Sequence, residues 1–276
     1  MLPLSYLFVP GNRPERFAKA LASGADALVL DLEDAVAPAD KAAARQAIAQ
    51  WAVRAALPAA QLVVRINDAQ SPWFADDLAM LKAADIQRVM LAKAESAEQV
   101  RAVSAALAAD ARVLPLVESA RGVSQIAQIA QAGQVERIAF GTLDYAVDLD
   151  LSGDERGLIH PYSQIAIASR VAGLAGPIAG VTASLGDSQR LEADFAFARA
   201  LGCTAKLCIH PQQVSLIHQF AQPSAEQVAW AEKVLAAIAG AAGAVQVDGK
   251  MVDRPVALKA EAILARHHAA ARRRGE

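Results

Sequence analysis

The chain has 276 residues, of which 54% are hydrophobic and 20% charged, with a formal net charge of -2 and a pI near 6.2. That apolar share excludes a disordered protein, and the near-neutral charge gives no basic field to attract a nucleic acid. No uninterrupted apolar run reaches the roughly 18 residues that would suggest a membrane span, and Met1-Leu2-Pro3-Leu4-Ser5 lacks the features of a secretory signal, so a cytoplasmic location is the default expectation.

In chain order, β-rich runs occupy 4–9 (LSYLFV), 27–32 (ALVLDL), 62–66 (LVVRI), 88–92 (RVMLA), 112–117 (RVLPLV), 136–140 (ERIAF), 178–182 (IAGVT) and 203–209 (CTAKLCI). Helical patterns follow near 14–22, 39–56, 74–83, 96–109, 121–131, 155–173, 187–201 and 211–220. Pro38 with Asp40, Ser96 with Glu98, and Pro211 fit first-turn chemistry; Gly24, Gly133 and Gly202 fit positions just past helix ends. Eight β/α units predict a (β/α)₈ TIM barrel over 1–222, a fold that fills about 250 residues as one domain. A doubly wound sheet gives no reason for eight regular units, and no Gly-x-Gly-x-x-Gly turn follows the first strand. Residues 223–276 are surplus to a barrel: a helix at 224–240, a loop from Gly240 to Gly249, and a last helix over 256–271 behind Pro255. They predict a C-terminal helical lid, an oligomerisation arm, or both.

Cys203 and Cys208 lie five apart in the last run, where alternation sends them to opposite faces, so they form neither a disulfide nor a Cys-x-x-Cys site. Adjacent His267 and His268 point about 100° apart on a helix. The run Arg272-Arg273-Arg274 reads as a solvated tail.

Polar side chains interrupt the apolar runs mainly at strand C-terminal ends. These are Asp31, Glu33 and Asp34; Arg65 and Asn67; Lys93 and Glu95; Glu118 and Ser119; and Asp144. In a (β/α)₈ barrel those ends converge on the mouth where active sites are built. Several carboxylates without Cys or His form a hard oxygen set suited to Mg²⁺ or Mn²⁺, and Arg65 offers a two-pronged donor for a carboxylate substrate. Simpler readings compete: Glu118 could cap the helix near Arg121, Asp144 could serve the turn Gly141-Thr142-Leu143-Asp144, and Asp31, Glu33, Asp34 and Lys93 could form rim ion pairs.

Eight segments in order carry a resemblance: Leu7-Phe8-Val9-Pro10-Gly11-Asn12-Arg13-Pro14-Glu15-Arg16-Phe17, Leu30-Asp31-Leu32-Glu33-Asp34-Ala35-Val36, Val64-Arg65-Ile66-Asn67, Lys93-Ala94-Glu95, Val117-Glu118-Ser119-Ala120-Arg121-Gly122, Phe140-Gly141-Thr142-Leu143-Asp144, Lys206-Leu207-Cys208-Ile209-His210-Pro211 and Asp248-Gly249-Lys250-Met251-Val252-Asp253-Arg254-Pro255. The chain resembles the citrate lyase β-subunit-like group of the aldolase and citrate lyase superfamily, which includes lyases of malyl-, citramalyl- and citryl-coenzyme A. The resemblance implies that Glu118 and Asp144 ligate Mg²⁺, with Asp34, beside Glu33, reaching the metal through water. It implies that Arg65 holds the keto-acid half and that Asp253 moves the proton at the acyl carbon, often from a neighbouring subunit of a homo-oligomer, trimer or hexamer. Arg13 and Lys19 become candidates for the coenzyme A phosphates, with Lys93 at the substrate, and Gly243 and Gly249 for lid hinges. Before the lysine of the last strand the family often has an aromatic residue and glycines, where this chain has Cys203, Thr204 and Ala205.

The leading expectation is a Mg²⁺-dependent carbon–carbon lyase that cleaves or forms a 3-hydroxyacyl-coenzyme A thioester, yielding a keto acid and an acyl-coenzyme A. A thioesterase or synthase on the same esters, and a citrate lyase β subunit handling an acyl carrier protein within a complex, are the alternatives.

Overall fold

The computed structural model describes residues 2–55, 57–239 and 245–274, which fall into two compact units, Met1–Ile217 and His218–Glu276. In the first, eight parallel strands close into a barrel in sequence order: β1 (Ser5–Pro10), β2 (Ala27–Asp31), β3 (Leu62–Ile66), β4 (Arg88–Leu91), β5 (Arg112–Val117), β6 (Ala139–Phe140), β7 (Ile178–Ala179) and β8 (Ala205–Cys208), which pairs back onto β1. The helices are α1 (Phe17–Leu21), α2 (Lys41–Ala55), α3 (Phe74–Ala83), α4 (Ala97–Ala106), α5 (Ala120–Ser124), α6 (Ile126–Gln131), α7 (Thr142–Asp148), α8 (Ile159–Val171), α9 (Ser188–Ala200) and α10 (Pro211–Phe220). This is the (β/α)₈ TIM barrel that the alternation predicts.

Local chemistry accounts for the element starts. Pro38 opens a short 3-10 turn ahead of α2. Ser96 begins α4 with a reciprocal capping box whose partner is Gln99, and Glu98 stands in the first turn as expected. Gly24 and Gly202 take the left-handed conformation at the ends of helical segments, φ 77° and 101°. Strand interiors are almost wholly apolar, as parallel strands covered on both faces must be.

Four expectations change. The strand expected over 136–140 shortens to two residues; the backbone ahead of it still bonds its neighbours, Glu136 N–H to Val113 and Ile178 N–H to Ile138, and the Arg137 side chain bonds the Gly176 and Pro3 carbonyls. The run expected over 178–182 is likewise a strand only at Ile178–Ala179. The helix expected over 121–131 divides at Gln125 into α5 and α6. Cys203 precedes β8, so strand alternation does not govern it; both cysteines are buried free thiols that burial pushes up to about 12, which keeps them inert.

The second unit contains α11 (Ala225–Ala239), an antiparallel hairpin of β9 (Val245–Val247) and β10 (Lys250–Val252), and α12 (Arg254–Arg274). Its own core joins Ala231 and Val234 of α11 to Val247, Ala260 and Ile263. The expected loop is therefore partly a hairpin, turning at Asp248 and Gly249, both with positive φ. Gly240 and Gly243 lie outside the described residues. Among the described residues no helix is long and apolar enough to cross a membrane.

Candidate active site

The barrel interior is filled by every second strand residue, among them Val29 of β2, Val63 of β3, Leu116 of β5 and Ala139 of β6. Two positions further along the same inward series stand Asp31, Arg65, Glu118 and Gly141. The alternation that buries the core thus delivers a polar layer above it, at the C-terminal mouth.

Arg65 is the centre of that layer. It pairs laterally with Asp31 in the β2–β3 register, and the two side chains form a bidentate fork, Nε to Oδ1 at 2.6 Å and Nη2 to Oδ2 at 2.7 Å. Its Nη1 lies 3.1 Å from Glu33 Oε2, and its guanidinium covers the Phe8 ring at 4.8 Å. Asp31 is itself held by the backbone N–H groups of Glu33 and Ala35. Burial works against the Arg65 charge, but Asp31 and Glu33 outweigh it and raise its pKa, so the guanidinium stays charged and rigid. Of its five N–H groups, those not turned to the two acids remain for a substrate carboxylate.

Glu33 also accepts from Lys93 Nζ at 2.5 Å, and Asp34, exposed at the rim, lies 3.5 Å from the same ammonium. Burial opposes the Lys93 charge, yet the hydrogen bond and charge of Glu33 prevail and raise its pKa. The backbone of Lys93 has a second task. At φ 48° it is left-handed, and its N–H donates to Glu118 Oε1 at 2.8 Å.

Glu118 is buried, and Gly141 makes room for it: a Cβ there would lie 2.5 Å from Glu118 Oε2. Asp144, an exposed residue in the first turn of α7, stands near enough for its carboxylate to act on Glu118. Burial, helped by Asp144 and opposed by the Lys93 N–H and Arg65, pushes Glu118 up to about 8. Neither acid serves as a cap: Ser119 caps α5, and α7 begins at Gly141 without a side-chain cap. The capping reading of Glu118 therefore lapses, while Asp144 does stand in the first turn of α7, where its charge also suits the helix start.

Two facing carboxyls, one desolvated, are an arrangement that a cation between them relieves. Among the described residues no group of three or more His, Cys, Asp or Glu could hold a metal ion. The pair instead fits a hard divalent cation that keeps most of its coordination for water and substrate oxygens.

The remaining candidates have the following surroundings. Arg13 is exposed beyond β1, 3.8 Å from Glu15, and Lys19 is exposed on α1. Asp253 belongs to the second unit and begins α12, its Oδ1 accepting from Val256 N at 3.1 Å. Sequence reasoning assigned no role to Phe8 or Lys41 and none to Asp31 beyond the rim; the inward series Val29-Asp31 and Val63-Arg65 was the available signal for the fork.

A family model described as HpcH/HpaI aldolase/citrate lyase matches residues 4–211. A citrate lyase subunit beta-like protein of Deinococcus radiodurans is 38% identical over 273 residues, covering 94% of this chain and 95% of its own. An L-malyl-CoA/beta-methylmalyl-CoA lyase of Cereibacter sphaeroides is 32% identical over 294 residues, covering 94% and 92%. The crystal structure of protein CitE from Mycobacterium tuberculosis in complex with magnesium, acetoacetate and coenzyme A aligns at a TM-score of 0.85 and 38% identity, covering 97% of this chain and 98% of that one. With the motifs, the barrel and the mouth in agreement over nearly the whole length, the chain belongs to the HpcH/HpaI aldolase/citrate lyase family.

Proposed function

We propose that the chain is a Mg²⁺-dependent carbon–carbon lyase that cleaves a 3-hydroxyacyl-coenzyme A thioester of the malyl, citramalyl or citryl type into a keto acid and an acyl-coenzyme A. The nearness of the Glu118 and Asp144 carboxyls beside Arg65 carries this reading. The magnesium and coenzyme A in the CitE complex and the malyl-CoA specificity of the Cereibacter relative support the cofactor and substrate class.

Glu118 and Asp144 hold the cation, with Asp34 as its outer, water-linked acid. When bound, Mg²⁺ acts as a Lewis acid toward the substrate's hydroxyl or keto oxygen. Arg65, braced by Asp31 and Glu33, binds the carboxylate of the keto-acid half. Lys93 fixes Glu33 at the rim and aims its backbone at Glu118. In cleavage the hydroxyl passes its proton to solvent water, and the electron pair left on its oxygen forms the keto group. The bond to the carbon beside the thioester breaks, and its electron pair passes to that carbon as an enolate. Asp253, supplied by a neighbouring subunit of a homotrimer or hexamer, protonates the carbon; its carboxylate would remove the same proton in condensation. Arg13 and Lys19 meet the coenzyme A phosphates. Residues 1–222 serve as the catalytic domain and 223–276 as lid and oligomerisation arm, in the cytoplasm, where coenzyme A thioesters are made and consumed.

The test is product analysis with malyl-, citramalyl- and citryl-coenzyme A. Keto acid and acyl-coenzyme A in equal amounts, abolished by EDTA and restored by Mg²⁺, are expected. Full cleavage by metal-stripped protein would overturn the mechanism, and free coenzyme A with intact hydroxy acid would make the chain a thioesterase.

A further inference from the structure

The carboxylates that brace Arg65 are themselves held from behind by a buried polar chain. Lys41, the first residue of α2, is 4% exposed. Its ammonium donates to the carbonyls of Leu32 at 2.6 Å and Glu33 at 2.9 Å and to Asn67 Oδ1 at 2.7 Å, so all three N–H groups are engaged. The Trp73 ring lies 4.8 Å from the same nitrogen. Asn67 in turn directs its backbone N–H and its Nδ2 to Asp77 Oδ2, at 3.0 and 2.7 Å. Asp77, fully buried, receives Arg45 Nη1 at 3.0 Å, and Arg45 Nη2 reaches Asp76 at 3.0 Å.

The chain runs from α2 and α3 to the backbone of one residue whose side chain faces the site. Glu33 offers its carbonyl to Lys41, its N–H to Asp31, and its carboxylate to Lys93 and Arg65. Backbone bonds also hold this segment, Val36 N–H to the Glu33 carbonyl and Leu32 N–H to the Arg65 carbonyl, each at 2.9 Å, but Lys41 is the group that ties the Leu32 and Glu33 carbonyls together and to Asn67, beside both acids that orient Arg65. A buried ammonium is an expensive brace where an apolar residue would pack at lower cost, and specificity of geometry is what such a group can supply.

We propose that Lys41 is a positioning residue for keto-acid recognition: by fixing the Leu32–Glu33 backbone it fixes Glu33 and Asp31, and through them the orientation of Arg65. The role rests on the reading above that Arg65 takes the substrate carboxylate. Lys41 touches no reacting atom.

The experiment compares wild type with Lys41→Met, which keeps the stem under Trp73, in two measurements. The first is the exchange rate of the Arg65 Nε–H by ¹⁵N NMR, which needs no substrate; the second is condensation kinetics with Mg²⁺, acetyl-coenzyme A and glyoxylate or pyruvate. Lys41→Met should speed Arg65 Nε–H exchange by about tenfold and raise KM for the keto acid by about tenfold, leaving KM for acetyl-coenzyme A within about twofold. A purely structural lysine would lower Tm and move neither reading, and that result overturns the proposal. If Lys41→Met does not fold, Asn67→Ser, which removes one of the three acceptors, should shift both readings by about threefold; no shift overturns it equally. If the wild type condenses nothing, the lyase reading fails, and the exchange of Arg65 Nε–H alone decides the positioning role.

Discussion

The two ends of the barrel hold their charges differently. At the N-terminal floor, Arg137 donates to the carbonyls of Gly176 at 2.6 Å and Pro3 at 2.7 Å and to the Thr204 hydroxyl, and its guanidinium lies 6.0 Å from the Tyr6 ring centre. Arg88 grips Glu136, and Asp26 accepts from the Leu4 and Ser5 N–H groups. Arg112, beside Arg88 in the β4–β5 register, donates to the Asp110 and Ala111 carbonyls, so each of these three cations is met by fixed protein oxygens. At the mouth, Asp31, Glu33, Asp34, Glu118 and Asp144 face Lys41, Arg65 and Lys93, a formal excess of two negative charges. The floor charges are met by fixed protein groups; on the function proposed above, a divalent cation takes up the excess at the mouth. Polar burial at the floor then serves stability, and at the mouth, on that reading, a ligand.

The comparison breaks most readily at Glu118. Glu118→Gln keeps an acceptor for the Lys93 N–H but removes the charge, and it should lower kcat for thioester cleavage by about 10³-fold, several kcal/mol of Lewis-acid stabilisation. Metal-free stability should move the other way. A carboxyl pushed up to about 8 in the fold lies above its unfolded value, so its ionised form destabilises the metal-free protein fully above pH 8, and the penalty fades as pH falls toward 4.5. The variant should therefore melt a few degrees higher than the metal-free wild type at pH 8.5 and show no advantage near pH 4.5. Calorimetry in EDTA reads this, and a lower Tm at pH 8.5 would mean that the mouth is built for stability after all.

Arg137→Met is the reciprocal change at the floor. It leaves the Pro3 carbonyl without this donor, while the Gly176 carbonyl keeps the Thr204 hydroxyl, and should cost about 2 kcal/mol by urea denaturation, an orphaned acceptor contributing about 1 to 3 kcal/mol. The folded fraction should keep kcat within about twofold. A selective loss of kcat would show that the floor shapes the mouth.

This contrast was only half visible in the sequence. The strands from β1 to β5 announce themselves as apolar runs, and the polar residues that end them announce the mouth. The shortness of β6 could not be read, because Glu136-Arg137-Ile138 looks like strand, and the Arg137 bond to Pro3 spans 134 residues. Helix α7 hid behind a turn-like Gly141-Thr142 start and exposes Leu143 and Val147, so it carries no amphipathic pattern. The pair Asp248-Gly249 suits positive φ and signals a hairpin, but strands of only three residues each carry too little alternation to tell it from a loop. At the site, residue types were legible but partnerships were not. The Asp31–Arg65 fork depends on the β2–β3 register, and Lys41 reaches Asn67 across 26 residues.

Lys206 tests the comparison on a third kind of charge, one that faces neither end. It sits between inward-facing Ala205 and Leu207, so its side chain leaves the barrel on the helix side, where Tyr162 and Phe197 line the same cavity. Its ammonium donates to the Gly180 carbonyl, and burial pushes its pKa down to about 8, partly opposed by the Asp194 carboxylate. A lysine whose folded value lies below its unfolded one destabilises the fold while charged, below pH 8. As pH rises toward the unfolded value the unfolded chain binds the extra proton, and the penalty is relieved. Measured against Lys206→Met, the stability of the wild type should therefore climb by about 2 kcal/mol between pH 8 and pH 10, whatever the offset between the two proteins at neutral pH. Chemical denaturation at pH 8, 9 and 10 reads the difference. A difference that stays flat would mean that Lys206 keeps an ordinary lysine's proton affinity, and hence that the wall behind β8 is solvated like the rim rather than dry like the floor.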